Sequence, residues 1–542
     1  YAEADLKYIK FRQSADTVYL VCKGYRPRTL VRTSDTSWTL ANFVAQDGPY
    51  MKIDTKVTTL TFADTGGIVP KMTSNTLPSG TASSVIAGAA AYTMFSRNVG
   101  EWYNGGYGSA LLDITYDLPG TTTAVVDAYS VQAPSSDKSA SQMPAAWVME
   151  GFDGTNWIIL DTRNGQQALG GEFKQYQIEN IIAYQSYRIR ATTPGVGPNG
   201  SDASGLGQVT FHRSAATQTP ITMTASTTAG INGGAGFQST DVGRSIRIFG
   251  TDGKWRWVEI VAVNTTLEVT VLIHVQALPD LSAIATWQLG AWSDTDGWPS
   301  SLAIHEDRFT LANTPRDPVS VWMSRSADYD NFGVSVPLLD DDAVTIRMTG
   351  GQLDEISHLT ETKGALMAST ATYLRTISPA NNGNAIKPDN VRQQAETAVP
   401  SSYIDPVAIE NVFLFIDFYQ QRLYETGYSL DADGFIAREL SVVNEHLFLP
   451  GVVQLAYAST PHKILYVLRT DGKVVAFTYD REQKVAGGTL LDFGGIVEDI
   501  SVLPGTMRSE LWLNVRRTIN GNTVRYAERL AALPVPGLCV DQ

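Results

Sequence analysis

The sequence predicts an all-β protein of several domains, and three observations support this prediction. The chain has 542 residues, more than one ordinary hydrophobic core can organise, so roughly two to four domains are expected. Its 46 glycines and 23 tyrosines accompany short runs rich in threonine and valine, which is the pattern of strands joined by tight turns. A hydrophobic fraction of 43% and a charged fraction of 18% are typical of a folded chain.

The first 50 residues predict one four-stranded sheet. Its strand-like segments are separated by turn-prone residues and are Tyr8–Phe11, Thr17–Val21, Arg28–Arg32 and Ser37–Phe43. Four strands of this length have the size of one β-propeller blade. Because a single blade cannot bury its faces alone, we expect residues 1–50 to close a ring with blades from the C-terminal part of the chain.

The middle of the chain breaks this pattern and predicts inserted β domains. They cover residues 51–78, 79–215 and 216–292, and the family resemblances given below imply platform or barrel strands for the first, a jelly roll for the second and a small β-barrel or platform for the third. In the last of these, Asp252 and Gly253 mark a hairpin turn between two alternating strands.

From residue 293 onward, β units recur at an uneven spacing of about 45 residues, a period typical of propeller blades. Each unit has an apolar strand, and these strands are Leu302–Leu311, Leu366–Ala368, Val412–Phe418, Ile464–Leu468 and Leu511–Val515. Residues 293–542 together with 1–50 therefore predict a β-propeller of about six to seven blades. The alternative is a pair of β-sandwiches whose strand spacing is coincidental.

The junction at the start of this region predicts a turn followed by a hairpin. Asp296-Gly297 and Trp298-Pro299 form the turn, Ser301–Leu311 is one strand, and Ser320–Ser326 is the next. A second hairpin is expected at Arg469–Lys473, where an Asp-Gly pair separates two apolar runs.

A run bounded by tryptophans, WVMEGFDGTNW at 147–157, precedes a strand YQSYRIR at 184–190. These features resemble the discoidin-type jelly roll, and the resemblance implies that Trp147 and Trp157 pack in a sandwich core. Domains of this type bind through loops at one end. The glycine-rich segment EWYNGGYGS therefore provides three aromatic candidates for contact with a sugar ring or a neighbouring protein, which are Trp102, Tyr103 and Tyr107.

Six phrases outside the jelly roll occur in an order similar to that of a phage protein family. They are LVRTSDTSWTLANFVAQDGPY, DVGRSIRI, WQLGAWSDTDGWPSSLAIHEDRFTLANTP, VWMSRSADYDNF, DADGFIARELSVVNEHL and LPGTMRSELWLNVRRTINGNTVRYAERL. They resemble the tail nozzle proteins (tail tubular protein B) of short-tailed bacteriophages. The jelly-roll insert is a departure from the pattern of that family. The resemblance implies a homohexameric ring at the distal tail of the virion, made in the host cytoplasm. Its implied partners are tail adaptor and portal-side ring proteins, tail fibres or spikes, and genomic DNA that passes through the lumen without specific binding.

The charge balance agrees with a conduit rather than a DNA-gripping protein. The chain has 55 acidic and 41 basic residues, a formal net charge of −14, and a surface of this sign repels phosphate. Cys22 and Cys539 are expected to be unpaired thiols, as in proteins made in a reducing cytoplasm. A chain that starts at Tyr1 rather than Met is expected to be trimmed or partial.

The sequence contains no motif of a known catalytic or metal-binding class, so we expect no enzyme, cofactor or metal. His305 is expected to lie on a strand surface or to pack within a blade, with a role as a ligand or general base as the alternative. The two Asp-x-Asp-Gly sequences at 294–297 and 431–434 are expected to be turns, because both lack the other ligands of a calcium loop. Asp340–Asp342 is expected to be a solvated loop, with relief of its repulsion by a divalent ion as the alternative.

Two other functions remain open at this level. One is a virion adhesin that binds host surface glycan through the jelly roll. The other is a hydrolase of cell-wall sugars, which would require paired carboxylates that converge in a pocket.

Overall fold

The computed structural model of the protein describes residues 1–51, 57–84, 90–96, 103–107, 111–134, 142–168, 173–196, 202–213, 220–251, 253–274, 277–335, 337–349, 354–362, 364–381 and 385–531. Strands make up 52% of the structure and helices 5%, which confirms the all-β prediction. The helices are 3₁₀ turns at Glu3–Tyr8, Ala91–Phe95, Asn232–Gly234 and Ser239–Asp241, and one α-helical turn, α1, at Glu445–Phe448. Among the described residues, no helix has the length and apolar character that a membrane span requires.

The chain forms two compact units that do not follow one another in sequence. The first unit combines residues 1–46 with residues 296–542, and the second comprises residues 47–295. The chain thus leaves the first unit after its N-terminal sheet and returns to it at Asp296.

The N-terminal sheet, called sheet I, has four antiparallel strands in sequence order. They are β1 (Lys10–Ser14), β2 (Thr17–Cys22), β3 (Tyr25–Ser34) and β4 (Ser37–Asn42). This confirms the four strands expected from the sequence. Cys22 is buried and is not in a disulfide, while Cys539 lies outside the described residues.

The second unit contains nineteen of the described strands. They are β5 (Leu60–Phe62), β6 (Thr81–Ser84), β7 (Tyr103–Tyr107), β8 (Asp113–Asp117), β9 (Ala124–Val125), β10 (Ala128–Gln132), β11 (Ala146–Phe152), β12 (Trp157–Arg163), β13 (Phe173–Gln177), β14 (Ala183–Tyr184), β15 (Ser186–Thr193), β16 (Gly195–Val196), β17 (Asp202–Leu206), β18 (Val209–His212), β19 (Ile221–Ala225), β20 (Ser245–Phe249), β21 (Trp255–Val263), β22 (Glu268–His274) and β23 (Trp287–Leu289).

Strands β6–β18 form a jelly-roll-like sandwich. Its larger sheet has the order β12-β11-β15-β8-β6, and a smaller sheet has the order β13-β10-β18. Side chains of both sheets share one buried cluster, which includes Ile114, Tyr129, Trp147 and Phe211. Alternation along each strand brings these apolar side chains to the inner faces.

The structure separates the two tryptophans that the sequence predicts for this core. Trp147 is fully buried, and its indole Nε1 donates to the Tyr129 hydroxyl at 3.0 Å. Trp157 is paired with Phe152 and lies partly exposed, with the Arg188 guanidinium 4.1 Å from its ring centroid. The prediction is therefore wrong for Trp157. Phe152 and Glu150 occupy alternate positions to Trp147 along β11, so this pairing places Trp157 on the outer face.

The remaining strands of the second unit form a six-stranded sheet of order β23-β20-β21-β22-β19-β5. One face covers a separate apolar cluster that includes Ile246, Val258 and Val271. The predicted hairpin joins β20 and β21, with Gly253 at φ 75°; Asp252 lies outside the described residues.

The C-terminal part of the first unit contains five further antiparallel sheets, each built from consecutive strands. Sheet II has β24 (Ser301–His305), β25 (Arg308–Ala312), β26 (Ser320–Met323) and β27 (Val344–Arg347); sheet III has β28 (Ile356–Thr362), β29 (Ala365–Thr370), β30 (Leu374–Ser378) and β31 (Arg392–Thr397); sheet IV has β32 (Val407–Ile409), β33 (Val412–Ile416), β34 (Leu423–Ser429) and β35 (Gly434–Glu439); sheet V has β36 (Val452–Ala458), β37 (Ile464–Arg469), β38 (Val474–Asp480) and β39 (Val485–Leu491); sheet VI has β40 (Ile496–Pro504), β41 (Ser509–Ile519) and β42 (Asn522–Arg529). The predicted hairpin at Arg469–Lys473 is confirmed between β37 and β38.

Neighbouring sheets of the first unit pack in sequence order. Sheets II and III share one buried apolar cluster, sheets IV and V share another, and sheets V and VI share a third. A smaller cluster joins sheets III and IV. Sheet I contacts sheet II through Tyr19 and Phe309, whose ring centroids are 4.5 Å apart. The segment before sheet I reaches sheet VI, where the Arg525 guanidinium lies 3.7 Å from the Glu3 carboxylate.

The predicted single strand Ser301–Leu311 is wrong, because it is a hairpin of β24 and β25. The turn is formed by Glu306 and Asp307, both with positive φ, at 48° and 57°. These values suit a two-residue hairpin turn, but the Glu-Asp pair lacks the glycine or asparagine that usually signals one.

The acidic loop Asp340–Asp342 is solvated at Asp340 and Asp341, as the sequence predicts, but not at Asp342. Asp342 is fully buried, and its carboxylate accepts hydrogen bonds from the backbone N–H groups of Ser335 and Leu339. Arg325 lies 2.8 Å from the Asp341 carboxylate and lowers the pKa of that group. Protein cations and N–H donors therefore neutralise this cluster.

Gly297 at the return into the first unit is expected to tolerate no side chain. Its φ is 88°, and an added Cβ would collide with the ring of Pro315. We expect Gly297→Ala to lower the free energy of unfolding of this unit by about 2 kcal/mol or more, measured by urea denaturation. Gly24 is the matched control, since its φ is 83° but open space surrounds it. An equal loss in Gly24→Ala would show that the collision with Pro315 contributes nothing.

Candidate functional site

The aromatic residues predicted as a binding site fall in a segment that is only partly described. Tyr103 and Tyr107 begin and end β7, whose register pairs Tyr103 with Leu206 and Tyr107 with Ala203. Trp102 and the side chains of both tyrosines lie outside the described residues. Their contact with glycan or protein therefore stays a prediction.

The first unit contains a cavity of about 750 Å³ at one end of sheets I–IV. In each of these four sheets, the lining residues lie near the start of the first strand or just after the end of the second strand. The lining residues are Asp5, Tyr8, Lys10, Lys23, Ser300, Asn313, Glu355, Ser357, Ala371, Ser401, Ser402, Tyr403, Phe418 and Gln420. A cavity of this size and polarity can hold a small organic ligand.

Lys10, the first residue of β1, supplies the cation at the wall of this cavity. Its Nζ donates a hydrogen bond to the backbone carbonyl of Ser357. Burial, assisted by the Arg12 guanidinium, lowers the pKa of Lys10 to about 8, although Asp405 and Glu355 favour the charged form. The ammonium is therefore the main form at neutral pH but is easily lost in mild alkali.

A buried histidine supports the wall behind Ser357. His358 follows Ser357 in β28 and is 1% exposed. Its Nδ1 lies 3.1 Å from Asp405 Oδ1, and its Nε2 lies 2.9 Å from the Ser402 carbonyl oxygen. These neighbours favour the charged ring, but burial and the Lys10 ammonium outweigh them and lower the pKa of His358 to about 4.

The buried neutral His358 predicts a loss of stability in mild acid. A ring with a native pKa of about 4 binds its proton less readily than in the unfolded chain, where the ordinary value is 6.5. We therefore expect the free energy of unfolding to fall by about 2 to 3 kcal/mol as the pH drops from 6.5 to 4. His358→Gln removes this titration, so urea denaturation should give a shallower pH slope.

The exposed His446 provides the control for this experiment. His446→Gln should keep the wild-type slope. An unchanged slope in His358→Gln would show that other groups cause the acid sensitivity.

Part of the cavity lining is aromatic. The rings of Tyr8 and Tyr403 have centroids 4.8 Å apart and are tilted by 59°, and Phe418 is 51% exposed. An ion pair between Lys23 and Glu355, at 2.9 Å, lies at the exposed part of the lining. Pairs with this exposure contribute little stability but fix local charge.

Sequence reasoning did not identify these residues, because no local motif carries them. Lys10 lies in sheet I, Ser357 in sheet III and Tyr403 just before sheet IV, and they line one cavity only because the sheets pack together. The one available signal was the prediction that residues 1–50 join the C-terminal sheets, since this brings Lys10 to the Ser357 carbonyl.

The described residues contain no group of three His, Cys, Asp or Glu side chains that could hold a metal ion. Asp431–Asp433 form the turn between β34 and β35, as expected, and Asp296 accepts a hydrogen bond from Arg316 at 3.0 Å. His305 is buried at the end of β24, and burial lowers its pKa.

Three solved structures that are similar to part of this chain are carbohydrate-binding modules. No protein-family model and no curated protein matches it. A family 32 carbohydrate-binding module of Clostridium perfringens, in complex with GalNAc-β-1,3-galactose, is 15% identical, with 24% of this chain and 93% of the module covered and a TM-score of 0.20. The family 32 module of Streptococcus pneumoniae EndoD is 13% identical, with 27% and 99% covered and a TM-score of 0.21. The family 32 module of C. perfringens NanJ, in complex with galactose, is 11% identical, with 28% and 98% covered and a TM-score of 0.21. Similarities at this level assign neither a family nor a function to the chain.

Proposed function

We propose that this protein is a structural subunit of the tail nozzle of a short-tailed bacteriophage. In this role it forms a ring that first closes and then conducts the DNA exit channel, and that supports fibres or spikes. The proposal begins from the six sequence phrases that resemble tail nozzle proteins, four of which fall within residues 296–542 or extend into them.

The observation that carries the proposal is the packing of sheet I with the C-terminal sheets in one unit. Sheets II–VI pack in sequence order, while sheet I contacts sheet II and its leading segment contacts sheet VI. This series supports a six-bladed β-propeller in which each sheet is one blade and sheet I lies between sheet VI and sheet II.

A propeller of this kind suits a ring subunit for a physical reason. Closure leaves few free strand edges, so the unit is a rigid body that can be repeated around a symmetry axis. The net charge of −14 repels DNA phosphates and lets DNA pass a channel wall without specific binding. In the proposed assembly, six copies meet the adaptor and portal-side ring proteins on one side and fibres or spikes on the other.

Native mass measurement and electron microscopy test this proposal. The purified chain should give particles of six times its 58.8 kDa mass, with sixfold rings in micrographs, and antibodies should label the distal tail of virions. A chain that stays monomeric and is absent from virus particles would refute the nozzle function.

A second candidate function is adhesion to host surface glycan through the jelly-roll-like sandwich. The observation that favours it is the sandwich's own apolar core, which is distinct from that of the six-stranded sheet and marks it as a separate module. The predicted aromatic segment at 102–107 includes one of its strands, β7.

A glycan array with the full chain tests this adhesin function. Binding should be lost in a Trp102→Ala/Tyr107→Ala double variant and retained in Trp157→Ala, because Trp157 lies on the outer face of β12. Absence of binding by the wild-type chain would leave the sandwich as a packing or docking module.

A further inference from the structure

The cavity of the first unit contains an ammonium that has no carboxylate partner. Within the part of the chain that the structure describes, Lys10 Nζ donates one hydrogen bond, to the Ser357 carbonyl. Lys10 forms no ion pair with the described residues. A backbone carbonyl satisfies one of the three N–H donors of an ammonium. The other donors remain available to a ligand in the cavity.

The acidic side chains near this ammonium already have partners of their own. Glu355 pairs with Lys23 at 2.9 Å, and Asp5 accepts from the Tyr25 hydroxyl at 2.8 Å. The Asp405 carboxylate lies 3.1 Å from His358 and 3.3 Å from Arg12. These carboxylates act on Lys10 through its electrostatic surroundings, but none of the described ion pairs includes Lys10, so a ligand anion would not displace an existing ion pair.

The rest of the lining offers the contacts that a sugar ring uses. The tilted rings of Tyr8 and Tyr403 provide an apolar surface, and Phe418 extends it. Polar groups surround this surface and are those of Ser300, Ser357, Ser401, Ser402, Asn313 and Gln420. A pocket with an aromatic wall, a few hydrogen-bonding groups and one fixed charge is typical of a small-molecule site.

We propose that this cavity binds a sugar bearing a carboxylate, with the Lys10 ammonium pairing the carboxylate and the Tyr8–Tyr403 wall packing against the ring. The cavity volume of about 750 Å³ lies within the range of ligand pockets. The site is distinct from the jelly-roll segment and goes beyond the proposed ring function, which does not require a ligand. Uronic acids and sialic acids share this chemistry, and the experiment below separates them.

Binding should depend on pH through Lys10. Its pKa of about 8 means that the ammonium is lost between neutral pH and pH 9, and the affinity for a carboxylate should fall accordingly. The titratable and charged groups around Lys10 are Arg12, Cys22, Glu355, His358 and Asp405. The His358 pKa of about 4 places its titration well below this range.

The experiment is calorimetric titration of the full-length chain with the methyl glycosides of galacturonic acid, N-acetylneuraminic acid and galactose. We expect one or both acidic glycosides to bind, and neutral galactoside to bind at least about tenfold more weakly. Lys10→Met should weaken binding of the acid by a similar factor, while Lys473→Met, which removes an exposed cation outside the cavity, should leave it unchanged. Wild-type affinity for the acidic glycoside should fall from pH 7 to pH 9, which gives a test that requires no variant.

The proposal is overturned if neither acidic glycoside binds, if galactoside binds equally well, or if acetate binds as tightly as the acidic glycosides. A pH-independent affinity would also overturn it. None of these outcomes bears on ring formation, which the native mass measures separately.

Discussion

Replacing Arg308 with methionine is expected to lower the free energy of unfolding of the first unit by about 3 to 5 kcal/mol. Arg308 is only 3% exposed and lies at the start of β25. Its guanidinium donates to the carbonyl oxygens of Ser324 at 2.8 Å, Asp342 at 2.6 Å and Asp340 at 3.0 Å. Methionine fills much of the same volume but leaves these buried acceptors without a donor.

We also expect the Arg308→Met variant to open locally, in the acidic loop, before the whole unit unfolds. Two of the three carbonyls, those of Asp340 and Asp342, belong to the acidic loop, so hydrogen exchange in the loop should accelerate before the other sheets of the unit open. Arg347→Met is the matched control, because Arg347 is 63% exposed and its pair with Asp317, at 3.5 Å, should contribute less than about 1 kcal/mol. Equal destabilisation by the two variants in urea would contradict the role assigned to Arg308.

Arg244→Met is expected to destabilise the second unit by about 3 to 5 kcal/mol, because it leaves a buried carboxylate unpaired. The side chains of Arg244 and Asp241 are both fully buried, with Nη1 2.8 Å from Oδ1. The same guanidinium donates through Nε to the Gly290 carbonyl at 2.8 Å, which ties the loop before β20 to the end of β23.

A second substitution separates the charge from the packing. Asp241→Asn introduced into Arg244→Met should recover part of the stability, since it removes the unpaired charge. The amide oxygen can still accept from the Gln238 N–H and the Asn232 side chain, and the amide NH2 can donate to the Thr295 hydroxyl. Glu259→Gln, which breaks a partly exposed pair with His274 at 3.1 Å, should cost less than about 1 kcal/mol. If the double variant is no more stable than Arg244→Met, the unpaired charge is not the cause.

Many strands and turns of the fold are predictable from the sequence, because the residues that determine them are close together in the chain. Strands β1–β4 and the Arg469–Lys473 hairpin follow from alternation and from residues that favour turns. The hairpin inside Ser301–Leu311 was missed because Glu306 and Asp307 adopt positive φ without glycine or asparagine. The burial of Asp342 was missed because the main cationic donor to the acidic loop, Arg308, lies about 30 residues earlier in the chain.

The cavity could not be predicted in the same way. Its charge pattern depends on which carboxylates pair with Lys23, Arg12 and His358. The two residues of each pair are far apart in the chain, so local sequence does not show the pairing. The propeller and the nozzle remain proposals that rest on sequence resemblance and on the order of sheet packing.

The interrupted first unit has a consequence for synthesis. Sheet I leaves the ribosome first, yet its partner sheet II begins at Ser301, after the whole second unit has been made. At synthesis rates of about 5 to 20 residues per second, sheet I waits for on the order of tens of seconds without sheet II. During this time Tyr19, which packs against Phe309 in the folded unit, has no partner from sheet II. Sheet I can therefore contact other nascent chains before sheet II covers it.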